Sequence, residues 1–238
     1  MKALIFDCDG VLVDTERDGH RVAFNRAFAA AGIDAEWDVE LYGRLLKIAG
    51  GKERMTHYFN EVGWPNGKNA ETLIPELHKR KTAIFTDLIA QGSLPLRAGV
   101  SRIVDEARAA GIRLGVCTTS DPKAIDGVLG LFGAQRKQWF EVVLAGDIVK
   151  KKKPDPEIYN LAKQRLALDA RDCVVVEDSR NGLLASLGAG MPTLITTSTY
   201  TKNEDFKGAA EVVPELGDPP NVLVTLEDLR SIAAQCAA

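Results

Sequence analysis

Cysteine is scarce in this chain. Cys8, Cys117, Cys173 and Cys236 are scattered over 238 positions, without the close pairing of a zinc site. Three of them stand in or beside apolar, strand-like runs, where cysteine packs as a small hydrophobe. Reduced thiols are therefore expected. No apolar run approaches the roughly 18 residues of a membrane helix, so no membrane association is expected. Met1-Lys2 leads straight into a short apolar strand, unlike a secretory leader, which points to a cytoplasmic protein. An excess of one charge is also lacking: 30 Lys and Arg stand against 33 Asp and Glu, a net of −3, and nothing suggests a nucleic-acid surface. Internal repeats and low-complexity tracts are absent.

What is present is an ordinary globular composition, 45% hydrophobic and 26% charged. The length suits one large domain or a core with a smaller companion. Strand-like runs at 2–6, 113–117, 142–145, 173–176 and 193–196 alternate, from residue 101 onward, with helical apolar spacing at 101–110, 122–131, 156–166 and 179–187. A closing helix is expected over 226–236. This alternation predicts an α/β fold, a Rossmann-like parallel sheet with helices on both faces.

Residues 16–91 break the pattern. They hold no convincing strand, and 21–31, 40–47, 52–62 and 71–90 read as helices, with a break at Trp64-Pro65-Asn66-Gly67. The expected organisation is a discontinuous core, 1–15 and 92–238, carrying an inserted helical cap over 16–91. Hinges are expected near 15–19 and 92–96.

In a parallel sheet the C-terminal strand ends share one crevice. The first strand runs into Asp7-Cys8-Asp9-Gly10, two carboxylates two residues apart before a glycine turn. Carboxylates at the end of a buried strand are costly unless a divalent cation compensates them. The second strand leads to Thr118, Thr119 and Ser120, the third to Lys153-Pro154, the fourth to Glu177-Asp178-Ser179. Each piece has a plain reading: helix caps for Thr118 and Ser120, a solvated lysine run for 150–153, dipole compensation for the two acids. Jointly they suit phosphoryl transfer through a carboxylate, which needs a nucleophile, a cation, donors for the equatorial oxygens and a second acid.

In that order these motifs resemble the haloacid dehalogenase superfamily, and in particular its phosphatases with a helical cap. Asp7-Cys8-Asp9-Gly10-Val11, followed by Asp14-Thr15-Glu16, resembles the first motif, Thr118 the second, Lys153-Pro154 the third and Glu177-Asp178-Ser179 the fourth. The resemblance implies Asp7 as nucleophile and Asp9 as general acid/base. It implies Mg²⁺ on Asp7, Asp9 through its carbonyl, and Asp178, with Glu177 directly or one layer out, and phosphoryl binding by Thr118, Thr119 and Lys153. The acid at Asp9 argues for a phosphate ester rather than a halide, which needs no proton.

The cap, with Asp14-Thr15-Glu16, His20, Tyr42-Gly43-Arg44 and Lys81, is similar to that of CbbY-type sugar phosphatases, relatives of β-phosphoglucomutase. That similarity implies a monomer acting on a sugar phosphate, above all xylulose-1,5-bisphosphate. Glu16, His20, Arg44, Gly51, Lys52 and Lys81 would then contact substrate. Gly50-Gly51-Lys52 permits close approach of backbone to an anion before a helix. A phosphosugar mutase would use the same core residues. A response-regulator receiver is too short and orders its acids differently, and filled catalytic positions argue against a silent binding domain.

Overall fold

Ala3–Phe6, the first strand (β1), is fully buried at every position. A strand buried on both faces belongs at the centre of a parallel sheet, and β1 lies there. In the computed structural model, which describes residues 1–48, 51–65 and 68–235, the described strands are β1, β2 (Arg113–Cys117), β3 (Phe140–Leu144), β4 (Cys173–Glu177), β5 (Thr193–Thr196) and β6 (Glu211–Val213). They form one six-stranded sheet in the order β3-β2-β1-β4-β5-β6, parallel throughout. The helices are α1 (Arg21–Ala30), α2 (Val39–Leu45), α3 (Gly51–Val62), α4 (Ala70–Ala90), α5 (Val100–Ala109), α6 (Pro122–Gly130), α7 (Ala134–Lys137), α8 (Glu157–Leu166), α9 (Arg180–Gly188) and α10 (Leu226–Gln235). This is the expected α/β architecture.

The chain packs as two units, Met1–Asp14 with Pro95–Ala238, and Thr15–Leu94. In the α/β unit, Ala3, Ile5, Cys117, Val142, Leu144, Cys173 and Val175 form one face of the sheet, against Ile158, Tyr159, Ala162 and Leu166 of α8 and Ala185 of α9. Alternation along a strand turns the intervening residues, such as Leu4, Phe6, Val116 and Val174, to the other face, and α5 and α10 pack against the sheet and each other. In the helical unit, Phe24, Phe28, Trp37, Tyr42, Tyr58 and Phe59 form one aromatic core. A π-helical turn, Thr15–His20, leads into α1. A Cβ on Gly19 would come within 2.8 Å of Phe85 on α4, so a glycine there lets the turn press against that helix.

Most boundaries move by a residue or two from the sequence expectation. β3 begins at Phe140, two residues early, and β6 was not expected. Asn66, Gly67, Gly50 and Cys236 fall outside the described residues. The other three cysteines are free and buried. Among the described residues no helix is long and apolar enough to cross a membrane.

Candidate active site

β1 delivers Asp7 to the C-terminal edge of the sheet, where its N–H still bonds Val176 O at 2.9 Å. The chain then turns at Gly10, whose φ of +80° favours glycine. The turn is tight: Leu12 N–H bonds Cys8 O and Gly10 N–H bonds Val13 O. A Cβ on Gly10 would lie 2.0 Å from Asp178 Oδ2, so this turn is pressed directly onto the acid that follows β4. The Arg97 guanidinium ties it down, donating to the carbonyls of Gly10, Thr196, Thr197 and Pro214.

Asp7, Glu177 and Asp178 are all buried and offer ligand atoms within 4.8 Å of one another. Lys153 enters this cluster from the loop after β3. Its Nζ donates to Asp7 Oδ1 at 2.7 Å, Cys117 O at 2.8 Å and Glu177 Oε1 at 2.5 Å. Its side chain is only 8% exposed, whereas that of Lys151 is 74% exposed. One lysine of the run thus turns inward, against the plain reading of a solvated run. Glu177 is held on every side. Tyr159 donates to the same Oε1 at 2.5 Å, and Asp178 N–H bonds Oε2 at 3.2 Å. A Cβ on Gly182 would come within 2.0 Å of its Cδ.

Electrostatics follow from this geometry. Burial raises the Asp7 carboxyl to about 7; Lys153 pulls it down, while Glu177 and Asp9 push it up. Burial raises Asp178 well above the carboxylate range, with Asp7 and Glu177 adding to the effect. Burial works against the charge on Lys153, but Asp7 and Glu177 overcome it and raise its pKa. Two buried carboxylates, Asp7 and Glu177, therefore share one ammonium, while Asp178 is eased by the charge of Arg97.

Thr118, at the end of β2, is buried. Its Oγ1 accepts from Ser120 N–H at 3.1 Å and lies 3.4 Å from Asp9 Oδ2. Ser120 Oγ donates to the same oxygen. Thr119 is exposed. The structure thus brings together Asp7, Lys153, Glu177 and Asp178, and joins Asp9 to Thr118.

Two contributors were not singled out from sequence. Tyr159 has the apolar spacing of a core residue on α8, and only its hydroxyl distinguishes it. The polar segment after β5 contains no charge, yet Thr199 donates to Asp14 Oδ2 through both N–H (3.3 Å) and Oγ1 (2.5 Å). Thr201 Oγ1 reaches Asp178 Oδ2 at 3.4 Å. Five hydroxyl residues in a row at a strand end were the available signal.

The helical unit holds its own polar cluster. Lys81 Nζ lies 2.9 Å from His20 Nδ1 and over the rings of Phe24 and Phe85. Burial, with Lys81 and Arg54 nearby, lowers His20 well below its usual value, leaving a neutral ring whose Nδ1 accepts from the ammonium. Burial also lowers Lys81 to about 8. Glu16 Oε2 accepts from Tyr42 Oη at 2.6 Å, and that hydroxyl accepts from the buried Arg54 at 3.0 Å. Arg44 and Lys52 are exposed. Gly51 opens α3 close to Phe24 and His78.

A strand-end nucleophile candidate, an inward lysine and a paired acid motif on this sheet are shared with a known family. The chain belongs to the haloacid dehalogenase-like hydrolases, whose family model matches residues 1–190. Within that family it is a phosphatase, and its relatives include the CbbY proteins. A CBBY-like protein of Arabidopsis thaliana is 51% identical over 224 residues, covering 92% of this chain and 70% of that one. The plasmid-borne CbbY of Cupriavidus necator is 43% identical over 222 residues, covering 92% and 87%. Rhodobacter sphaeroides CbbY, solved with phosphate, has 38% identity, a TM-score of 0.76 and coverage of 97% and 99%. A mutant of it, solved with xylulose-(1,5)bisphosphate, gives a TM-score of 0.75 at 38% identity, covering 96% and 99%.

Proposed function

We propose that the protein hydrolyses a phosphorylated sugar, foremost xylulose-1,5-bisphosphate, through an aspartyl phosphate on Asp7. The observation that carries this reading is the hydrogen bond from Lys153 to Asp7 beside a second acid, Asp9, whose carboxyl lies next to Thr118 Oγ1. Asp7 attacks phosphorus. As its bond to phosphorus forms, the ester P–O bond breaks, and the electron pair leaves on the sugar oxygen, which takes a proton from Asp9. Asp9, now a carboxylate, then removes a proton from water as that water attacks the phosphorus of the aspartyl phosphate. Asp7 is restored and inorganic phosphate leaves.

Lys153 orients Asp7 and offsets charge on the phosphoryl oxygens, with Thr118 and Thr119 as donors. Thr118 N–H is occupied by Leu144 O, so its hydroxyl is the group it brings to the phosphate. Mg²⁺ fits the donor set. Asp7, Glu177 and Asp178 are hard oxygen ligands, and the burial and mutual repulsion that raise Asp7 and Asp178 are the cost a divalent cation removes. Asp7, Asp178 and the Asp9 carbonyl would hold it, with Glu177 alongside. When bound, the ion withdraws negative charge from the phosphoryl group.

In the helical unit, Glu16, His20, Arg44, Gly51, Lys52 and Lys81 are the residues assigned to the sugar and its second phosphate. Free buried cysteines support a reducing, cytoplasmic setting. The test is a panel of sugar mono- and bisphosphates with Mg²⁺, scored for free phosphate and isomerised sugar phosphate. Phosphate release greatest with xylulose-1,5-bisphosphate is expected; isomerised product without phosphate would overturn hydrolysis. Lys52→Ala should raise KM about tenfold for the bisphosphate and little for a monophosphate, as loss of one charge-assisted contact predicts. Equal effects on both would remove Lys52 from the second phosphate.

A further inference from the structure

Ser120 stands where a helix cap is expected and does something else. A serine just ahead of a helix ordinarily accepts from an N–H of the first turn. Here the cap of α6 is Asp121, whose side chain accepts from Lys123 N–H at 2.8 Å. The Ser120 hydroxyl instead donates to Asp9 Oδ2, the oxygen that Thr118 Oγ1 also approaches. The turn bearing both hydroxyls is braced: Ser120 N–H bonds Thr118 Oγ1 at 3.1 Å, and Thr118 N–H bonds Leu144 O at 2.9 Å. The Ser120 hydroxyl, held by a stiff turn, sets the plane of that carboxyl and leaves the Thr118 hydroxyl for the phosphate.

We infer that Ser120 is a positioning residue for Asp9, orienting its carboxyl for proton transfer to the departing ester oxygen. The inference rests on the reading of Asp9 as general acid/base. Proton delivery matters in proportion to the basicity of the leaving oxygen: a sugar alkoxide needs it, and a nitrophenolate does not. The ratio kcat/KM covers only events through cleavage of the ester bond, so it isolates this step from the later attack of water.

The experiment compares kcat/KM for xylulose-1,5-bisphosphate and for p-nitrophenyl phosphate in the parent, Ser120→Ala, Ser120→Thr and Asp9→Asn. In Ser120→Ala the loss on the sugar ester should exceed the loss on the aryl ester by about tenfold, the scale of a modest misplacement of a catalytic group. Ser120→Thr, which keeps a hydroxyl at the same distance from the backbone, should recover most of that difference. Equal losses on the two esters in Ser120→Ala, alongside a strong preference in Asp9→Asn, would overturn the positioning role and leave Asp9 as the acid. An Asp9→Asn variant that loses both esters equally would overturn the reading of Asp9 and the role of Ser120 with it.

Discussion

Lys81 shows how much a single buried charge can cost. Its folded pKa of about 8 lies below the ordinary 10.5 because burial disfavours the ammonium. Below pH 8 it is charged in both states, and the folded state bears a penalty of about 3 kcal/mol. Between pH 8 and 10.5 the unfolded chain binds more protons, so this penalty fades as pH rises. Lys81→Met should therefore unfold at a higher temperature than the parent at pH 7, with the gap closing toward pH 10. A gap independent of pH would refute the assignment. Asp7 differs in kind. Asp7→Asn should abolish phosphate release and leave the unfolding temperature near that of the parent, because the amide needs no counter-charge in a buried site. Retained turnover would remove Asp7 as nucleophile. These acids were legible in the sequence because charge at a buried strand end is conspicuous. Tyr159 was not, since a phenol at a core position of α8 reads as packing until its hydroxyl is seen on Glu177.

At the level of elements, the sequence revealed strands in proportion to their burial. β1, β2, β4 and β5 are buried on both faces and read as compact strand-like runs. β3 and β6 are the edges of the sheet, with exposed Glu141 in β3 and exposed Glu211 and Val212 in β6, so the apolar run of β3 shows only from Val142 and β6 carries no strand pattern. The π-helical turn at Thr15–His20 has no pattern in sequence because packing against α4 selects it. α9 gives a sharper test of element packing. Gly182→Ala would drive a Cβ into Glu177, and a destabilisation of about 1–3 kcal/mol is expected from overpacking, with lost activity as Lys153 and Asp7 shift. Gly130, at the end of α6, faces open space: a Cβ there would meet nothing within 4 Å. Gly130→Ala should instead raise stability, by up to about 1 kcal/mol. Denaturant midpoints of the two variants, moving in opposite directions, would check both.

For the molecule as a whole, the cluster of Asp7, Glu177 and Asp178 predicts that stability follows divalent cation. Saturating Mg²⁺ should raise the unfolding temperature by several degrees, as binding at about a hundredfold excess over Kd adds roughly 3 kcal/mol. Asp178→Asn should blunt that rise; an undiminished shift would put the ion elsewhere. The sheet order carries a separate consequence, in time rather than in space. The central strand β1 comes first in the chain, yet its partners are distant: Ala3 pairs with Arg113 on one side and Cys173 on the other. During synthesis the residues of the helical unit are complete before either partner strand exists, while β1 waits with its apolar residues uncovered. Folding of such distant pairings is slow and prone to aggregation. The strand that carries Asp7 is thus made early and seated late, and a ribosome that stalls before β4 leaves a chain that can hold no active site.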